Sequence, residues 1–245
     1  MTSLLPFAES VVCWELACSP SSRPESSPHW PGRVFKTLPR LVVSLIFAWA
    51  SGWNGASFWV AGMILAGSIA LPAVRQRWVP TRFLAEFEVV WHGLAAFAFW
   101  QIWLHAPGPI AGLQLMDGVT ETRQAAVCIA FALFLFAIRG GSFVVIGVLG
   151  KAPGVTGPAT SGEKPARSPA EIIGYIERAI VMLIVAAGNL QALAFFFVAK
   201  GLARSKKLEE DPAWANYFLL GSLASFFVAL VCGLIAQQAI ALFWK

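Results

Sequence analysis

Residues 217–236 read YFLLGSLASFFVALVCGLIA, twenty residues without a single charge. A helix of about that length spans ~30 Å, the thickness of the hydrocarbon layer of a bilayer. Helices of soluble domains bury one stripe and keep their other faces polar. This one is apolar all round, which points to lipid as its solvent.

The same texture recurs upstream. Apolar runs cover 38–53, 57–74, 84–105, 124–138 and 179–199. The sequence therefore predicts an all-α fold, a polytopic transmembrane helix bundle with six membrane segments. Residues 142–150, SFVVIGVLG, are half the length a crossing needs. They lie in the interface, dip in and out, or extend the fourth helix. The last case would sink Arg139 into the bilayer.

Composition agrees with lipid. Of 245 residues, 58% are hydrophobic and 13% charged, where soluble domains carry about 25% charge. Mean hydropathy is +0.68. Trp49, Trp53, Trp59, Trp78, Trp91, Trp100, Trp103, Trp214 and Trp244 fall at or near the ends of apolar runs, as an interfacial belt does. The net charge of +5 sits in connectors rather than in a basic stripe with stacking aromatics, so no nucleic-acid partner is expected. Cys13, Cys18, Cys128 and Cys232 lack zinc-site spacing, so neither a metal nor a cofactor is expected.

Residues 1–33 read as a disordered tail, Ser/Pro-rich over 19–33 (SPSSRPESSPHWPGR), with Glu9 and Glu15 interrupting the apolar stretch before it. An N-terminal membrane region of four segments follows at 34–150, a linker at 151–167, and a transmembrane helical hairpin at 168–245. Ser168-Pro169-Ala170-Glu171 is a capping box that starts the fifth helix, expected to run unbroken past Lys200. Asp211-Pro212 starts the sixth. Counting connector Lys and Arg puts twelve on the inner side against five outside, with both termini cytoplasmic. The Lys200–Lys207 cluster contradicts that assignment. Only a non-crossing segment among the third, fourth and fifth would bring it inside.

Gly221, Ser225, Ala229 and Gly233 form a small-residue ladder on one face of the sixth helix. Close backbone approach through such residues supplies packing where lipid removes the hydrophobic drive. Gly188 and Ala192 offer the same device on the fifth helix. In a hairpin turning near residue 207, Asn189 is expected level with Ser225.

This final region resembles a family of uncharacterised bacterial multi-pass inner-membrane proteins. The matching residues are Arg139-Gly140-Gly141, Ile173-Gly174, Glu177-Arg178-Ala179, Ala199-Lys200, Arg204 and the run Tyr217–Ser225, YFLLGSLAS. The family pattern reads as an IG…ER turn, a helix closing in AAKS, then an EY…IGT…S helix. Gly201 stands where the family has Ser, Asn216 where it has an acidic residue, and Ser222 where it has Thr. The resemblance covers residues 139–233 and implies a multi-pass fold but no activity.

Polar groups at membrane depth are costly to bury, so they rank first as candidate sites. Asn189 and Gln191 either meet a solute at the midplane, where transporters bind, or hydrogen-bond Ser222 or Ser225 between helices. The second reading is preferred. Glu177 and Arg178 point about 100° apart and do not pair with each other. Arg178 is expected to pair with Glu171 or Glu88, as an interfacial anchor or as a gating charge. Arg139 is a snorkelling helix-end residue or an embedded charge with Glu177 as partner. His92 follows Glu88 by one turn, and a bond to a backbone carbonyl is preferred over proton relay or metal ligation.

No catalytic fingerprint is present, neither HExxH, Walker A, GxSxG nor a dinucleotide loop. The leading expectation is a structural or interaction component of the bacterial inner membrane. Its partners would be the lipid bilayer and, through the small-residue faces, a second copy or another membrane protein. A small-solute or ion transporter is the alternative, and a membrane-embedded enzyme the third.

Overall fold

A computed structural model describes residues 4–18, 39–48, 55–105, 120–152 and 169–243. Among them the chain is all-helical, with no strand. The helices are α1 (Leu4–Cys18), α2 (Pro39–Ala48), α3 (Gly55–Trp78), α4 (Leu84–Leu104), α5 (Glu121–Leu149), α6 (Pro169–Ala186), α7 (Leu190–Leu202), α8 (Ser205–Glu210) and α9 (Pro212–Phe243). A single 3-10 turn, Thr81–Phe83, leads into α4. Among the described residues four helices are long and apolar enough to cross a membrane, over Gly55–Arg75, Thr81–Leu104, Glu121–Leu149 and Pro212–Leu242. Many large side chains, Trp59, Phe195, Phe227 and Leu242 among them, are exposed on the helix surfaces. Such surfaces suit a lipid solvent.

The chain divides into two compact units, one of residues 1–79, 90–135 and 239–245, the other of 80–89 and 136–238. In the first, Trp14, Phe47, Val60, Ile64, Phe99 and Trp103 form a buried core. Residues 4–18, expected in the disordered tail, form α1 instead, and Leu5, Ala8, Trp14 and Ala17 on it are buried. Fifteen residues with Trp14 at one turn's distance from Ser10 give a face that α3 and α4 accept. Gly67 on α3 makes that possible, since a Cβ there would stand 2.5 Å from the Trp14 ring. The Ser/Pro-rich stretch 19–33 lies outside the described residues.

In the second unit α5 runs on through 142–149, so this segment extends the fourth helix. Its end lies against the start of α4, where Lys151 pairs with Glu86. The helix expected to run unbroken past Lys200 is broken at 187–189. Asn189 N–H donates to Ile184 O (3.1 Å) and Gly188 N–H to Val185 O (2.9 Å), with Gly188 at φ +74°. This is a Schellman ending, which needs a left-handed residue just past the helix, and glycine alone adopts it without strain. Asn189 then occupies the N-cap position of α7 without a side-chain capping bond. The result is an antiparallel α6–α7 hairpin with its tip at Gly188, inside a stretch whose only polar side chains are Asn189 and Gln191. Asp211 opens α9, its carboxylate accepting from Trp214 N–H at 3.0 Å.

Candidate functional site: a buried arginine clasp and a histidine–carboxylate pair

Arg178 lies deep in α6 and is 4% exposed. Its Nη1 donates to Ser225 Oγ on α9 at 3.2 Å. Its Nη2 donates to Ile138 O at 2.7 Å and to Ser142 Oγ at 2.5 Å, both on α5. The Tyr175 ring, one turn earlier, lies 5.5 Å from the guanidinium. One side chain therefore ties three helices together. Room for it comes from Gly141, where a Cβ would stand 3.2 Å from Arg178 Cδ. The Nε–H is buried without an acceptor.

The expectation that Arg178 pairs with Glu171 or Glu88 is corrected: its acceptors are two hydroxyls and a carbonyl. Glu171 accepts from Tyr175 Oη. Neutral acceptors hold a buried guanidinium here because α5 and α9 present serines at the depth where α6 presents the arginine.

Beside the clasp, Lys200 Nζ on α7 donates to Glu177 Oε2 on α6 at 2.6 Å. Both side chains are largely buried. The pair bridges the two arms of the hairpin and removes Glu177 as a partner for Arg139, which is exposed on α5. A narrow, partly open crevice with room for about one water lies between α6, α7 and α9. Glu177, Arg178, Lys200, Ser222 and Ser225 supply its polar lining, Phe196, Phe197 and Phe226 its apolar walls.

Asn189 and Gln191 are exposed at the hairpin tip and line no part of that crevice. Asn189 is not level with Ser225. A Cβ on neighbouring Gly188 would stand 3.0 Å from Gln237 Nε2, twelve residues, or about 18 Å of helix, beyond Ser225. The turn at 188, rather than near 207, shifts the register. Gly188 thus serves the break, not a packing face. The ladder on α9 lies against its neighbours: Gly221 against Leu149, Ser225 against Arg178, and Gly233 against Val185, with Ala229 fully buried.

A second polar cluster occupies the other unit. His92 Nδ1 on α4 lies 2.6 Å from Glu15 Oε1 and 3.1 Å from Trp14 Nε1, both on α1. One nitrogen cannot donate to a carboxylate and accept from an indole at once. The shorter contact assigns the Nδ1 proton to the Glu15 bond, because a charge-assisted pair is the stronger one. His92 thus bonds a carboxylate through Nδ1. Nearby, Trp103 Nε1 donates to Ser10 Oγ at 2.8 Å, and Ser10 donates to Pro6 O. Among the described residues no three His, Cys, Asp or Glu side chains gather as a metal site.

Glu15, Trp14, Ser10 and Ser142 escaped sequence reasoning. The available signal was Glu15 itself, a carboxylate next to Trp in an otherwise apolar stretch. Residues that carried the sequence resemblance, Glu177, Arg178, Lys200 and Ser225, turn out to bond one another in pairs. No family model, curated protein or solved structure matches the chain.

Proposed function

We propose that this protein is a structural or interaction component of the bacterial inner membrane. The observation that carries the reading is the Arg178 clasp. Each hydrogen bond that its guanidinium donates joins α6 to a neighbouring helix, α5 or α9. Interhelical hydrogen bonds of this kind hold membrane bundles together where apolar burial gives no drive. The small-residue face of α9 adds close packing to the same seam. In this unit the polar groups at depth serve assembly.

The arrangement in the membrane follows from the hairpin. α6 and α7 are the two antiparallel arms of one hairpin, tied by Glu177 and Lys200, so both of its ends lie on the same side. We read α6–α7 as a re-entrant hairpin that enters and leaves on one side. Irregular backbone at membrane depth is tolerated where protein buries it. This placement moves Lys200, Arg204, Lys206 and Lys207 to the side of Lys151, Lys164 and Arg167. Only Arg123 and Lys245 then remain opposite among connector charges, which resolves the conflict with the positive-inside rule. The six segments become α1 to α5 and α9. Contacts of Ser10 with Trp103 and of Trp14 with His92 run α1 antiparallel to α4. Both termini then lie opposite the basic connectors, the reverse of the orientation that sequence counting supports.

A transporter is the second reading, favoured by the broken helix and the charged crevice at Glu177 and Lys200. Labelling of Ser222→Cys with a membrane-impermeant maleimide, in intact cells and in inside-out vesicles, separates the two. A packed structural seam leaves the introduced thiol unreacted from both faces until the membrane is dissolved. Reaction from either face, slowed by a specific solute, would replace the structural role with transport.

A further inference from the structure

We propose that the α7–α9 corner of this protein holds the phosphodiester headgroup of an anionic phospholipid. Trp214 and Phe218, one turn apart at the start of α9, stack with ring centroids 5.1 Å apart and planes 8° from parallel. Three cations fan over this pair. Lys207 Nζ lies 4.5 Å from the Trp214 ring. The Arg204 guanidinium lies 5.8 Å from Trp214 and 5.1 Å from Phe218. Lys200 Nζ lies 5.5 Å from Phe218.

Among the described residues, charge at this corner is not balanced. Lys200 has Glu177. Arg204 and Lys207 form no ion pair among the described residues; aromatic faces are their partners. The carboxylates nearest in sequence are not spent on them. Asp211 caps α9 through the Trp214 N–H, and Glu209 and Glu210 are exposed without an ion pair among the described residues. Two like charges held beside one indole repel each other, and a bridging anion relieves that repulsion.

Position selects the anion. The apolar core of α9 begins at 217, so Trp214 stands where interfacial tryptophans stand, at headgroup level. Basic clusters at that level, between helix ends, recognise phosphate headgroups. Arginine adds bidentate geometry for phosphate, and lysine a point charge. Arg204 and Lys207 would hold the phosphate, while the acyl chains lie along the exposed flank of α9, where Leu219, Leu223 and Phe227 face outward. The inference requires membrane insertion but not the re-entrant topology, since either leaflet presents a headgroup to this corner.

Native mass spectrometry of the full-length chain in neutral detergent tests it, with phosphatidylglycerol, phosphatidylcholine or inorganic phosphate added in turn. Phosphatidylglycerol is expected to bind in preference to phosphatidylcholine. Arg204→Gln/Lys207→Gln is expected to weaken that binding about 30-fold, roughly fivefold per charge. Lys207→Gln alone, at an exposed side chain that leaves the fold intact, is expected to weaken it about fivefold. Lys206→Gln, which removes one exposed charge that contacts neither ring, is expected to bind as the wild type does. Equal binding by Lys207→Gln and wild type would overturn the proposal. So would a loss in Lys206→Gln equal to that in Lys207→Gln, or displacement of the lipid by equimolar inorganic phosphate. Failure here leaves the Ser222→Cys test of the structural role untouched.

Discussion

Arg178 and Ser225 stand 3.2 Å apart, guanidinium to hydroxyl, and join α6 to α9. The same guanidinium reaches Ser142 on α5, so the two serines share one partner. Ser225→Ala is expected to cost about 0.6 kcal/mol, the mean for interhelical hydrogen bonds in a membrane protein. Ser142→Ala/Ser225→Ala leaves the buried cation with one acceptor and is expected to cost about 3 kcal/mol or more, beyond additivity. Unfolding in mixed micelles with increasing denaturing detergent measures both. An additive double variant would show that the guanidinium is satisfied elsewhere.

Gly188 sits at φ +74° in the turn between α6 and α7. An L-residue there is strained by roughly 1–2 kcal/mol. Gly188→Ala is therefore expected to destabilise by about that amount in the same assay. Gly62→Ala, on an open helical face of α3, is expected to be neutral or slightly stabilising. A neutral Gly188→Ala would indicate that α6 and α7 run together as one helix.

Trp14 fills the space above Gly67, whose absent Cβ is what admits the indole. Gly67→Val is expected to displace α1 and to cost about 1–3 kcal/mol, as overpacking does. Accessibility of Trp14 to an aqueous quencher should rise in that variant when a Trp14→Phe difference spectrum isolates its signal. An unchanged difference spectrum would contradict the packing of α1 on α3.

The Glu15–His92 pair is buried on both sides. Removing one member of such a pair leaves the other uncompensated, at a cost of about 3–5 kcal/mol. His92→Phe is expected to lie in that range, and adding Glu15→Leu to it is expected to recover most of the loss. If the double variant is as unstable as the sum of the singles, the two side chains are not coupled.

Re-entry of α6–α7 makes Ser161→Cys and Ser205→Cys accessible from the same side of the membrane, with Thr120→Cys accessible from the other. Impermeant maleimide applied to sealed vesicles of known orientation reads this directly. Opposite labelling of positions 161 and 205 would make α6–α7 a true crossing and restore the conflict with charge counting.

Helices long and apolar enough to cross a membrane were legible in the residues because length and hydropathy are local properties. Twenty uncharged positions such as 217–236 specify a long apolar helix without reference to any neighbour. The start of α9 was legible for the same reason, since Asp211 and Pro212 act within one turn. The break at Gly188 was written in the sequence as Gly-Asn, yet hydropathy averaged over twenty residues hid it, because a Schellman turn changes backbone angles and not polarity. Everything with long sequence separation needed the fold. Arg178 meets Ser142 and Ser225 across 36 and 47 residues, and Glu15 meets His92 across 77. An isolated buried charge has many sterically plausible partners, and only packed helices with a definite register choose among them.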